Sequence, residues 1–356
     1  MSSGGNHTVG GHARCHDRNV RAVHPLTLFL ADGDSWINFN VNSFRELFWD
    51  NTFNGLTFGA IYSLIAMGYT LVYGVLRLIN FAHSEVFITG AFALYFTLTA
   101  LGFGGNAPDI SLIALVGDLV LAAAVAMIAS GIVAILLERV AYRPLRKRNA
   151  PPLVFLITAI GASFTIQYVW YAFRGPNAES AVIMFRPQPV FTVFGTDIDD
   201  QQLTIVAAAI LVMVITDRFI NHTRFGRGIR AVAQDPDTAT LMGVNKERVI
   251  MLTFLVGGLL AGVASLFYVM KVSAGVQYSG GFNLGIKAFA AAVLGGIGNI
   301  RGAMLGGMLI GLIGNYGQTL LGLSQWSDII AFVALVVILM FRPTGILGES
   351  LGRARA

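Results

Sequence analysis

The chain has 356 residues, 55% of them hydrophobic and only 12% charged, with a formal net charge of +5. Soluble domains carry about 25% charged residues, so a bilayer rather than water is the main solvent implied. The basic excess does not call for nucleic acid, because membrane proteins collect Lys and Arg on their cytoplasmic side. The single cysteine, Cys15, excludes an intramolecular disulfide framework and a Cys-rich metal site.

Residues 1–45 are polar, with His7, His12, His16 and His24 scattered among Gly, Ser and Arg. The histidine spacing matches no metal-ligand pattern and no apolar h-region of about 7–15 residues follows, so a disordered extension is expected there. Beyond it, uncharged stretches long enough for a bilayer helix of about 20 residues run 51–76, 86–107, 119–137, 152–173 and 249–270. Two shorter stretches, 201–216 and 329–341, need their flanks. The stretch 288–327 is broken by Arg301 and glycines, and it reads as a short span followed by a full one. The expected fold is all-α: a polytopic integral membrane helix bundle over 46–348, with about 8–9 crossings including a short or broken helix. Residues 349–356 form the tail.

Basic residues orient the bundle. Segment 142–151 holds Arg143, Arg146, Lys147 and Arg148, segment 218–248 holds six Lys and Arg, and the tail from Arg342 holds three. The loop 100–111 holds none, and 174–200 holds two against four acids. Positive-inside counting therefore puts the first three in the cytoplasm and the N-terminal extension outside, provided that 288–300 crosses the membrane.

Within the cytoplasmic loop 218–248, the passage "RFGRGIRAVAQDPDTATLMGV" (224–244) predicts a short capped helix over about 236–242. Asp235 suits the N-cap, Pro236 the first helical position, and Asp237 the positive end of the helix dipole. Gly243 suits the left-handed residue that closes the helix, and Asn245 caps the next one. Leu241 and Met242 expose apolar surface, either to pack on the membrane domain or to dock a cytoplasmic partner.

Further upstream, "YGVLRLINFAHSEVFITGAF" (73–92) sets Arg77, His83 and Glu85 between apolar stretches, where ionisable residues are functional candidates. His83 and Glu85 would point about 200° apart on a helix, which disfavours a metal pair, whereas Asn80 and His83 can share a face. Arg77 fits either a snorkelling anchor or a gating role. In "AAVLGGIGNIRGAMLGGMLIGLIGN" (291–315), Gly298, Gly302 and Gly306, then Gly307 and Gly311, repeat at the small-xxx-small spacing of close helix packing. Asn299 and Arg301 between glycines suggest a helix break. The chain has no GxxxxGK[ST] loop, no HExxH and no paired carboxylate within a span, so neither ATP binding nor catalysis nor ion coupling is written in it. Energy coupling then has to come from elsewhere, which points to a partner.

The chain resembles the branched-chain amino acid ABC transporter permeases, of the type paired with a second, longer permease. The likeness rests on five blocks in order: "NGLTFGAIYSLIAMGYTLVYGVLRLINFAHSEVFITGAF", "LERVAYRPLR", "FGRGIRAVAQDPDTATLMGV", "KAFAAAVLGGIGNIRGAMLGG" and "FRPTGILG". Two departures stand out: Ser84 occupies the glycine position of the family's NFAHGE, and the N-terminal extension has no counterpart. The resemblance implies half of a heterodimeric pore with a second permease subunit. It also implies two cytoplasmic ATPase subunits carrying ATP and Mg, an extracytoplasmic binding protein, and no cofactor on this chain. It assigns ATPase coupling to Arg227, Asp235, Pro236, Ala239, Met242 and Gly243. Candidates for the pathway are Asn80, His83, Glu85, Gly295, Gly296 and Asn299. Related permeases for urea or short-chain amides, and a self-contained channel or facilitator, are the alternatives; the latter predicts that disrupting 235–243 leaves flux intact.

Overall fold

The computed structural model describes residues 47–106, 110–193, 196–272, 275–321 and 327–348. The expected extension over 1–45 and the tail 349–356 lie outside them. The first helix, α1 (Phe48–Leu76), stops at Arg77, which adopts the left-handed conformation at φ 52° and returns its N–H to the Tyr73 carbonyl. Next come α2 (His83–Ala100) and α3 (Leu112–Leu137), the latter started by Ser111, whose hydroxyl accepts from the Ala114 N–H. Beyond Leu137 the helix widens into a π-turn, Glu138–Tyr142, and ends in α4 (Arg143–Lys147). The helix α5 (Pro152–Arg174) opens on a proline in its first turn, where no intrahelical N–H is needed. A two-stranded antiparallel hairpin follows, β1 (Pro189–Val193) and β2 (Thr196–Asp199), with Phe191 opposite Ile198. The remaining helices are α6 (Asp200–His222), α7 (Arg224–Gln234), α8 (Pro236–Leu241), α9 (Lys246–Lys271), α10 (Gly280–Gly295), α11 (Ile300–Leu321) and α12 (Ser327–Phe341). Nine of these described helices run fifteen residues or more, and five are both long and apolar enough to cross a membrane.

Helix α1 is the axis of the bundle. In its most apolar window 83% of residues are buried, against 17% in α5. The helices α11, α9, α10 and α6 surround it, whereas α3, α5 and α6 turn Ile113, Ile132, Leu153, Ile157, Phe173 and Ile215 outward. Helices apolar on their outer faces as well as their inner ones belong in hydrocarbon. The glycine register of 298–311 divides between two neighbours. Gly302 and Gly306 lie against Gly295 and Ala291 of α10, while Gly307 and Gly311 lie against Ser63 and Gly59 of α1. On the facing side, a Cβ on Gly59 would sit 2.9 Å from the Met308 Cα, so α1 and α11 meet backbone to backbone. The Ser63 hydroxyl crosses this seam to the Met304 carbonyl at 2.7 Å.

Several helix boundaries differ from the uncharged-run expectation: α1 begins at Phe48 rather than 51 and takes in Asp50, α3 begins at Leu112 rather than 119 and runs through Asp118, and α2 ends at Ala100 rather than 107. Helix α2 begins at His83 rather than 86, because buried His83, Ser84 and Glu85 form its first turn. The expected short span at 288–300 is instead α10, Gly280–Gly295, which continues through Lys287. Charged side chains lie within these helices rather than beyond their ends.

Polar ties fix the end of the bundle that carries α7 and α8. Arg301, at the start of α11, forms a two-pronged pair with Asp217 of α6 at 3.1 Å for each prong. The π-turn brings Glu138 to Arg146 at 2.6 Å, and Arg146 also reaches Glu247 of α9 at 3.0 Å. Arg143 joins Glu247 at 3.2 Å.

Candidate functional site

The α7–α8 passage is held at every joint. Thr223 caps α7 by accepting from the Gly226 N–H at 3.1 Å. At Gly226 a side chain would run into the Ile220 carbonyl, so the elbow between α6 and α7 is tight. Arg230 reaches back to the end of α6, donating to the Ile220 carbonyl at 2.7 Å and to Asn221 Oδ1 at 3.2 Å. Gly226, Ile229 and Val232 form the buried stripe of α7, leaving Arg227 exposed on the other side.

Helix α8 follows the capping pattern read from the sequence. The Asp235 carboxylate accepts from the N–H groups of Asp237 at 3.0 Å and Thr238 at 3.2 Å. The Thr238 hydroxyl donates to it as well. These bonds, the hydroxyl's foremost, hold the Asp235 carboxyl below the usual carboxylate range. At the other end Gly243 has φ 83°, its N–H bonds the Thr240 carbonyl, and the Val244 N–H reaches back to Ala239 at 3.0 Å. This paired 6→1 and 5→2 arrangement is the Schellman closure. The helix ends at Leu241, with Met242 as its C-cap, one residue short of the expected 242. Ala239 is buried against the bundle, whereas Leu241 is 87% and Met242 81% exposed. Six residues with such caps hold two large apolar side chains away from the protein.

Arg77 links this projection to the core. Its guanidinium donates at 3.0 Å to both the Ala233 and Gln234 carbonyls, the unsatisfied C-terminal end of α7. Arg77 thereby ties the end of α1 to the joint between α7 and α8.

Three to eight residues beyond Arg77, Asn80, His83 and Glu85 are buried, at 3%, 2% and 0% exposure. Asn80 precedes α2 and so does not share a helical face with His83; its Oδ1 accepts from the Tyr142 hydroxyl at 2.8 Å. His83 fits the slot where α1 and α9 approach at Gly68 and Gly257, its ring 4.9 Å from that of Tyr69. Glu85 points elsewhere, towards Ser163 of α5 and the Gly281 turn of α10. His83 Nε2 and Glu85 Oε2 make no hydrogen bond among the described residues. Ser84, the departure from the family pattern, donates to the Phe81 carbonyl at 2.9 Å and packs on Gly285.

Gly295, Gly296 and Asn299 lie at the turn between α10 and α11, and Ile297 of that turn lines a small pocket together with Asn80, Tyr69 and Tyr73. Gly296 has φ 105°, and Asn299 Oδ1 caps α11 by accepting from Arg301 N–H at 3.1 Å and Gly302 N–H at 3.2 Å. The chain end closes over the turn: Ile346 and Leu347 donate to the Leu294 and Gly295 carbonyls, and Asn299 Nδ2 donates to the Leu347 carbonyl. Among the described residues no group of three or more His, Cys, Asp or Glu is gathered as for a metal. Tyr142, Glu138 and Arg230 are structural partners without a motif of their own; Tyr142 bonds Asn80, Glu138 pairs with Arg146 across the π-turn, and Arg230 holds the end of α6.

The sequence profile of the family described as branched-chain amino acid transport system, permease component, matches residues 51–339. Over 302 residues the chain is 41% identical to the high-affinity branched-chain amino acid transport system permease protein BraD of Pseudomonas aeruginosa, covering 83% of this chain and 94% of that one. Over 307 residues it is 38% identical to the permease protein LivH of the corresponding system of Escherichia coli K12, covering 85% and 96%. A shorter likeness, 34% over 127 residues, joins it to the Escherichia coli ribose import permease protein RbsC, covering 34% and 38%. No solved structure matches. The chain belongs to the branched-chain amino acid transport permease family and is a multi-pass inner-membrane protein.

Proposed function

We propose that this permease forms half of the translocation pathway of an ATP-driven importer of branched-chain or other apolar amino acids. A second permease subunit supplies the other half, and an extracytoplasmic binding protein delivers substrate. Two cytoplasmic ATPase subunits hold the ATP and Mg and dock on the 225–244 loop. One observation carries the coupling role: Leu241 and Met242 stand exposed on a helix whose both ends are capped. Exposed apolar side chains on a rigid, polar-rimmed projection suit a protein partner better than water. Arg227, Asp235, Pro236, Ala239 and Gly243 shape that projection, the glycine by a conformation that other residues adopt only under strain.

The cycle is a population shift. ATP binding to the partners must favour one permease state over another, and a stiff α8 tied to α1 through Arg77 conveys that bias. The test is Met242→Asp in the reconstituted importer. Uptake falls about tenfold or more, as for loss of a hot-spot contact, while permease stability changes by no more than about 0.5 kcal/mol. Unimpaired, ATP-dependent uptake by this variant would count against docking and favour a self-contained channel.

A further inference from the structure

The turn between α10 and α11 sets one apolar residue, Ile297, between two glycines of left-handed backbone, Gly296 at φ 105° and Gly298 at φ 98°. Glycine turns freely at such angles, so a single side chain is carried between two hinges. Ile297 lines a cavity of about 10 Å³ whose other walls include Tyr69, Thr70 and Tyr73 of α1, Asn80, and Phe289 of α10. That space has room for about one water molecule. The Thr70 hydroxyl on its wall is buried and makes no hydrogen bond among the described residues. A buried hydroxyl without a partner is costly, and it gains one when water or a solute enters beside it. The cavity lies at the cytoplasmic end of the bundle. Thr70 and Tyr73 belong to the last two turns of α1, and Asn80 follows Arg77, which bonds the end of α7.

A strap from the end of α12, residues 342–348, holds the turn in place. The Ile346 and Leu347 N–H groups donate to the Leu294 and Gly295 carbonyls at 2.9 and 3.0 Å, and Asn299 Nδ2 donates to the Leu347 carbonyl at 2.9 Å. Strap and turn also touch through glycine backbone. A Cβ on Gly345 would lie 2.6 Å from the Gly296 Cα, and one on Gly296 would overlap Gly348. Two residues beyond Asn299, Arg301 grips Asp217 of α6, and α6 leads through the Gly226 elbow into α7 and α8.

We infer that Ile297 is the cytoplasmic gate of the translocation pathway and that the 342–348 strap is the latch that keeps it shut. This deepens the importer reading and rests on it. With the strap seated, the space between α1 and α10 is too small for an amino acid. When the strap leaves, the Leu294 and Gly295 carbonyls are freed, rotation at the two glycines withdraws Ile297, and Tyr69, Thr70, Tyr73 and Asn80 line an exit. Three hydrogen bonds and a glycine contact are few enough to exchange within a transport cycle, and the Arg301–Asp217 pair joins the turn to the coupling passage.

The test reads access to Thr70 from the cytoplasmic side. The assembled transporter carries Cys15→Ser and Thr70→Cys, and inside-out vesicles without ATP are exposed to a membrane-impermeant methanethiosulfonate cation, with modification of the permease followed by mass spectrometry. The Thr70→Cys thiol reacts far more slowly than one introduced by Arg148→Cys, an exposed position. Adding Ile297→Ala speeds its modification at least about tenfold, as for removal of a covering isoleucine, and Ile297→Leu leaves it slow. Adding Asn299→Asp keeps the cap on α11 but removes the donor to Leu347, and speeds modification about fivefold, the shift for one lost hydrogen bond of the closed form. Ala66→Cys, one turn deeper in α1 and fully buried, reports general loosening and stays unreactive throughout. Modification at Thr70→Cys as fast as at Arg148→Cys, no acceleration by Ile297→Ala, or equal acceleration at Ala66→Cys overturns the gate. Acceleration by Ile297→Ala without any by Asn299→Asp overturns the latch. ATP-driven leucine uptake by the wild-type complex with its binding protein is measured in parallel: its absence overturns the importer reading itself, whereas uptake with a failed accessibility result overturns only the gate.

Discussion

The segment 80–85 and helix α8 invert the usual placement of side chains in opposite directions. In the first, Asn80, His83 and Glu85 are buried among apolar helices. In the second, Leu241 and Met242 are exposed beside Asp235, Pro236 and Asp237. Their supports differ accordingly. The interior segment is fixed by fit, with His83 boxed by Gly68 and Gly257 and Asn80 held by Tyr142. The projecting helix is fixed by hydrogen bonds at its two ends. Steric fit makes the interior intolerant of added volume, and end-capping makes α8 stiff yet replaceable on its surface. Arg77 stands between the two, at the end of the axial helix and on the carbonyls of α7.

Three substitutions separate these modes of support. Gly68→Val should have the largest effect on stability, because its side chain would overlap the His83 imidazole. Overpacking of this kind costs about 1–3 kcal/mol, visible as a lower melting temperature of the detergent-purified permease. Arg77→Ala is milder: it removes two hydrogen bonds from an exposed guanidinium, a loss of about 1 kcal/mol that hydrogen exchange would register in 224–244 and not in the core. Asp235→Asn is the smallest, leaving α8 intact at neutral pH because Asn caps as well as Asp. Its signature is in acid. The folded Asp235 carboxyl lies below its ordinary value, so its stabilisation of α8 is complete above about pH 3.9 and is lost as the pH falls through the depressed value. Exchange of the Asp237 and Thr238 amides should therefore rise in acid in the wild type more than in the variant.

The capping chemistry of α8 was legible because caps are local: Asp235, Pro236 and Gly243 act on neighbours within a few residues, and the structure moved the end of the helix by one position. The bundle and its number of long helices were legible from apolar runs for the same reason. What stayed hidden is long-range. Lys287 and the His83–Glu85 turn looked like boundaries, since a charge inside a helix declares itself only when its neighbours are known. The glycine repeat at 298–311 announced close packing. Its division between α1 and α10, and the departure of Gly298 into a turn, depend on which helices come alongside. The π-turn at Glu138–Tyr142 has no signature in residue spacing, and it decides that Tyr142 meets Asn80 and that Arg146 meets Glu138.

The central claim is that the exposed tip of α8 touches the ATPase. A photoreactive benzoylphenylalanine in place of Met242, in the assembled transporter, tests it most directly, with the same group at Phe173 on the outward face of α5 as the reference. The account predicts a covalent adduct between the permease and an ATPase subunit from position 242 and none from position 173. Efficient photoreaction at 242 without any ATPase adduct would contradict it.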